Sequence, residues 1–90
     1  MDHYIFFPED GNSRMYAALE GDTMHVNAIL SGPKAGTCEQ YPLRKYVRQG
    51  DEGGNEVFLV AYEIQPSNDE IEQAILRLKL PPIKTYPKDN

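Results

Sequence analysis

The chain has a single cysteine, Cys38, which excludes an internal disulfide framework. With only two histidines beside it, soft ligands are too few for a structural zinc site. No apolar run approaches the roughly 20 residues that a helix needs to cross a bilayer. The opening Met1-Asp2-His3-Tyr4 lacks the basic segment and long apolar core of a secretory signal. Internal repeats, low-complexity tracts and linker-like stretches are missing as well. These absences lead to the expectation of a soluble, cytoplasmic domain over residues 1–80, followed by a proline-containing tail over 81–90.

What is present is a globular balance: 90 residues, of which 40% are apolar and 26% charged. A domain of this size buries about 60–65% of the surface its unfolded chain exposes, so one modest core is expected. The net charge is −5, and it is unevenly placed. Residues 51–80 hold Arg77 and Lys79 against Asp51, Glu52, Glu56, Glu63, Asp69, Glu70 and Glu72. Just before them, Arg44, Lys45 and Arg48 form a basic cluster with no acid between Tyr41 and Gly50. An acidic half suits a partner with a basic surface better than a polyanion, which the net charge repels. The plain alternative is that the carboxylates only keep a small domain soluble.

Tyr4-Ile5-Phe6-Phe7 reads as a strand stopped by Pro8 and the turn chemistry of Gly11-Asn12. Met15, Ala17 and Leu19 resume on one parity, and Gly21-Asp22 offers a two-residue hairpin turn into the next strand. From Thr23 to Ser31, Met24, Val26, Ala28 and Leu30 alternate with His25 and Asn27. That period of two predicts a half-buried strand with the apolar set inward and His25 toward solvent. Residues 32–37 form a loop, and 38–49 fit an edge strand or a short helical turn, since Pro42 opposes an interior strand position. Gly50 to Asn55 is the strongest turn signal, and Val57 to Tyr62 is apolar on both parities, as a central strand should be.

The best-marked element is a C-terminal helix. Ser67 and Glu70 have the spacing of a capping box, and Ile71, Ala74, Ile75 and Leu78 form one apolar stripe. Leu76 lies about 140° and Leu80 about 180° from Ile71 around the helix, so neither belongs to that stripe. Either the tail beyond Pro81-Pro82 covers them, with Ile83 and Tyr86, or they meet another chain, a homodimer being one version.

Cys38 with His25 or His3 is the one conceivable nucleophile–base set, but no local signature surrounds the thiol. Gly32-Pro33-Lys34-Ala35-Gly36-Thr37 lacks the lysine that a phosphate-binding loop places after its last glycine. The carboxylates show no calcium-loop spacing. No cofactor, metal or catalytic residue is therefore expected. Tyr41 to Arg48 interleaves aromatics with cations, a composition shared by single-strand nucleic-acid sites and protein hot spots.

The sequence thus predicts an α+β fold: a small antiparallel sheet of four to five strands with one C-terminal helix packed on one face. Its expected role is that of a non-enzymatic binding protein engaging a larger partner with a basic surface, for which a nucleic-acid-handling protein is one candidate, by occlusion or charge mimicry. Phage-type inhibitors of host defence or nucleic-acid machinery are one such class. The expected contact residues are Tyr41, Arg44, Lys45, Tyr46, Arg48, Asp51, Glu52, Glu56, Glu63 and Leu76. A nucleic-acid module built on 41–48 and a small cysteine-dependent enzyme are the competing expectations.

Overall fold

The computed structural model describes residues 2–18, 23–50 and 54–83. Six strands and one helix follow in the order β1 (Asp2–Phe7), β2 (Arg14–Ala18), β3 (Met24–Ala28), β4 (Cys38–Pro42), β5 (Arg44–Gln49), β6 (Asn55–Tyr62) and α1 (Asn68–Leu78). The α+β class is as the sequence implies. The sheet differs: four strands in the order β2-β1-β6-β5 form one layer, and β3 with β4 forms a separate two-stranded sheet. The central pair, β1 and β6, runs parallel, with Tyr4 opposite Leu59 and Phe7 opposite Tyr62. Those two strands are apolar on both parities, so each needs cover on both faces, and placing them side by side in the middle provides it.

That cover comes from α1 on one face and the β3–β4 hairpin on the other. Ile5, Phe7, Phe58 and Val60 pack beneath Ile71, Ala74, Ile75 and Leu80. Tyr4, Phe6, Ala18, Leu59 and Ala61 form the second core, against which Tyr16, Tyr41, Leu43 and Ile83 pack. The chain is therefore three layers thick, where the sequence implies two.

The hairpin turn expected at Gly21-Asp22 lies outside the described residues, and the strands it would join do not pair: β2 belongs to the four-stranded sheet and β3 pairs with β4. Residues 38–49 are two strands meeting at Leu43, whose amide donates to the Thr23 carbonyl at 2.9 Å. Pro42 sits at the last position of β4, opposite Met24, where its missing donor costs least. Residues 29–37 close the β3–β4 hairpin, and Gly36 there has a φ of 89°, a conformation that glycine adopts without strain.

The capping box forms as its spacing implies. The Glu70 amide donates to Ser67 Oγ at 3.2 Å, and the Ser67 amide donates to Glu70 Oε1 at 3.1 Å. Ser67→Ala is expected to cost about 1 kcal/mol, read as a shift in the urea midpoint at constant slope. Leu80 is covered not by the tail or another chain, as the sequence implies, but by the core between α1 and the main sheet. Lys79 takes a left-handed conformation (φ 56°), the Leu80 amide bonds the Ile75 carbonyl at 3.1 Å, and the turn swings Leu80 into the core. Beyond it, Ile83 donates its amide to Val57 O at 2.7 Å, so the chain stays bound to the sheet through that residue. Tyr86 lies outside the described residues. No helix among the described residues is long and apolar enough to cross a membrane.

Candidate functional site

The hairpin carries its side chains the opposite way round from the sequence expectation. His25 is buried, at 3% exposure, while Met24, Val26 and Leu30 are 42%, 51% and 88% exposed. The reason is an aromatic nest on the hairpin-facing side of the main sheet. The His25 ring stacks on Phe6, with centroids 4.0 Å apart, and Tyr16 lies 4.7 Å away. The Tyr4 hydroxyl bonds His25 Nδ1 at 2.8 Å, and His25 Nε2 bonds Asn27 Oδ1 at 2.7 Å. Both bonds are met by a neutral imidazole protonated on Nε2, which donates to the amide oxygen and accepts from the phenol. Burial lowers the His25 pKa below its ordinary 6.5, partly opposed by the bond to Asn27. A flat aromatic–imidazole stack with every ring nitrogen bonded outcompetes burial of the thin Met-Val-Ala stripe.

The consequence is an exposed, nearly uncharged outer face. Met24, Val26 and Ala28 on β3 lie opposite Pro42, Gln40 and Cys38 on β4, and all six are exposed. Leu30 extends the stripe into the hairpin loop. A regular strand with its apolar parity outward leaves this stripe in contact with solvent instead of the core.

Around Tyr41, on the parity of β4 that turns toward the main sheet, act carboxylates drawn from three places in the chain. Tyr41, half-buried opposite His25, has its phenol pKa raised by burial and further by the charges of Glu63, Glu39 and Glu9. Glu9 follows the end of β1, Glu63 follows the end of β6, and these two strands are parallel neighbours, so their C-terminal ends meet. The Glu63 amide bonds the Phe7 carbonyl at 3.1 Å and holds the two ends together.

The other expected contact residues are placed as follows. Tyr46 and Arg48 face the helix: the Tyr46 hydroxyl donates to Glu72 Oε2 at 2.6 Å, and Arg48 bonds Glu56 Oε1 at 3.0 Å and Glu72 Oε1. Arg48 also lies 4.7 Å over the Phe58 ring. The bond from Tyr46 holds the Glu72 carboxyl below its usual range, with Arg48 adding to the effect against burial. Of the expected contact residues, Tyr46 and Arg48 thus tie the β5 edge to α1 through Glu72, and Glu56 on β6 shares the Arg48 guanidinium. Arg44 lies 5.3 Å over the Tyr62 ring on the same face, and Lys45 points to the other. Leu76 is 76% exposed on the outer side of α1, well away from the hairpin layer. Asp51 and Glu52 fall outside the described residues.

The site therefore gathers Tyr41 and Glu63 from the expected set and adds Glu9, Glu39 and the Met24–Leu30 stripe. The stripe is visible in the sequence, but its direction is not. The convergence of Glu9, Glu39 and Glu63 depends on strand order, which no local pattern carries.

Cys38 is exposed on the outer face of the hairpin, whereas His25 points inward from the opposite parity, so thiol and imidazole lie on opposite sides of one sheet. Among the described residues no group of histidine, cysteine, aspartate or glutamate is placed to hold a metal ion. A cleft of about 360 Å³ runs between the β1–β2 turn and α1, lined in part by Phe7, Pro8, Ile64, Pro66 and Ala74. Arg77 closes one end of it, bonded to the carbonyl and hydroxyl of Ser13. No family model, no curated protein and no solved structure matches this chain.

Proposed function

We propose that this protein is a non-enzymatic binding protein that inserts its β3–β4 hairpin into a groove of a larger protein. The observation that carries the reading is the outward apolar parity of β3, with Met24, Val26 and Leu30 exposed and His25 buried. The groove has an apolar floor for that stripe, and its basic rim reaches round the hairpin to Glu9, Glu39 and Glu63, the carboxylates that act on Tyr41 from its sheet-facing side. A two-stranded finger with an exposed loop fits a cleft better than a flat surface, because a cleft covers both the face and the tip. Its mode of action is occlusion. Charge mimicry has less support, since Glu56 and Glu72 are already paired with Arg48 and Glu70 is held in the helix cap. A thiol enzyme has less support again, because Cys38 and His25 point away from each other.

The test is affinity purification from the native host with three tagged chains: wild type, Val26→Asp/Leu30→Asp, and Leu76→Glu. Wild type and Leu76→Glu are expected to retain one partner in a salt-weakened complex. The hairpin variant should lose it by about 100-fold in affinity, the effect of removing one to two apolar anchors. Its thermal midpoint should stay unchanged, since both side chains are exposed. Equal recovery by all three chains would overturn the reading.

A further inference from the structure

We propose that this chain forms a weak two-fold dimer in which β2 pairs antiparallel with β2 of a second copy, joining two four-stranded sheets into one of eight. This surface is distinct from the outer face of the hairpin. The edges of the fold are unequally protected. At one end of the main sheet β5 carries Arg44, Lys45 and Arg48, charges of the kind that discourage strand addition. In the hairpin, β4 carries Glu39 and the donorless Pro42. At the other end of the main sheet β2 reads Arg14-Met15-Tyr16-Ala17-Ala18, with no proline and one charge at its first position. Among the described residues only β1 pairs with it, so one row of its main-chain donors and acceptors faces outward.

The layer above reinforces the choice of a second copy. The 4.7 Å contact between the Tyr16 and His25 rings sets β3 over β2, so the two open strands are stacked on one side of the molecule. Of the ten residues in β2 and β3, only Arg14 is charged, in a chain whose net charge is −5. Two copies meeting along these strands bring no carboxylate of either strand against another. With the two-fold axis at Tyr16, Arg14 lies opposite Ala18 of the second copy and Met15 opposite its Ala17, so large residues meet small ones and Arg14 never meets itself.

The size of the strip sets the strength. A five-residue strand is about 17 Å long and the layers are about 10 Å apart, which gives less than the roughly 800 Å² per partner of a stable interface. Main-chain hydrogen bonds then supply most of the hold, as in other strand-addition complexes, and the dimer is reversible.

Sedimentation velocity over a concentration series of the full chain tests this. Wild type is expected to move from 10.2 kDa toward twice that mass as concentration rises. Met15→Lys/Ala17→Lys sets lysine against lysine across the axis and should remain monomeric, as should Met15→Glu/Ala17→Glu. Mixing the two variants should restore the doubled mass. Both positions are exposed, so far-UV circular dichroism should show each variant folded. A wild type that stays monomeric at its highest soluble concentration would overturn the proposal. So would a dimer that persists in both variants, or a mixture that fails to associate.

Discussion

Phe58→Ala is expected to lower folding stability by about 3–5 kcal/mol, a large share of what a domain of this size possesses. Phe58 is 1% exposed and sits on β6, the strand covered on both faces, within the cluster that joins the sheet to α1. Removing its ring opens a cavity between Ile5, Ile71 and Ile75 that strand and helix cannot close by collapsing together. It also removes the surface on which the Arg48 guanidinium rests, a contact worth about 0.5–1 kcal/mol where partly exposed. Urea unfolding followed by circular dichroism measures the loss. A change below about 1 kcal/mol would mean that the helix does not depend on this strand for its seat. Phe58→Leu keeps most of the volume and should lose less.

The second large effect concerns the hairpin. His25→Ala should cost about 2–4 kcal/mol, because it removes a buried ring, its stack on Phe6 and its bonds to Tyr4 and Asn27 together. It should also change how stability follows pH. The folded-state pKa of His25 lies below its unfolded value of 6.5, so between the two the unfolded chain binds more protons. Wild-type stability is then complete above pH 6.5 and declines as pH falls through that window. Tyr4, Phe6, Tyr16 and Asn27 contact the ring, Tyr41 lies opposite it on β4, and Asp10 and Arg14 line the cleft beside Phe6, Tyr16 and Asn27. Glu72 acts lower: its folded pKa is depressed from 4.5, so its contribution is lost only as pH drops below that value. Thermal midpoints between pH 5 and 7.5 therefore report on His25. His25→Phe, which keeps a stacking ring without a titrating group, should flatten the dependence there. A wild-type midpoint independent of pH across that range would contradict the buried neutral imidazole.

Local chemistry made part of this molecule legible in advance. The Ser67–Glu70 box marks the helix start because both partners lie three residues apart, and the double-sided apolar run at Val57–Tyr62 marks the middle of the sheet. The direction of β3 was not legible. Apolar alternation says which residues share a face, but which face turns inward depended on Phe6, Tyr4 and Tyr16, far away in sequence. Leu80 escaped for a different reason: a 100° progression assumes that the helix continues, and a single left-handed residue at Lys79 ends that assumption. The bonds of the basic cluster at 44–48 were not legible either, because Arg48 and Tyr46 find Glu72 more than 20 residues later, across the sheet-to-helix interface.

The parallel contact between the first strand and the sixth has a bearing on how the chain is made. During synthesis Tyr4–Phe7 emerges well before its long-range neighbour, residues 59–62, which lies 55 residues further along. Nascent β1 must wait with both greasy sides poorly sheltered, a state prone to sticking. Contacts this distant in sequence also slow the search for the native arrangement. Moving the N-terminal strand to follow α1 by circular permutation would shorten that wait.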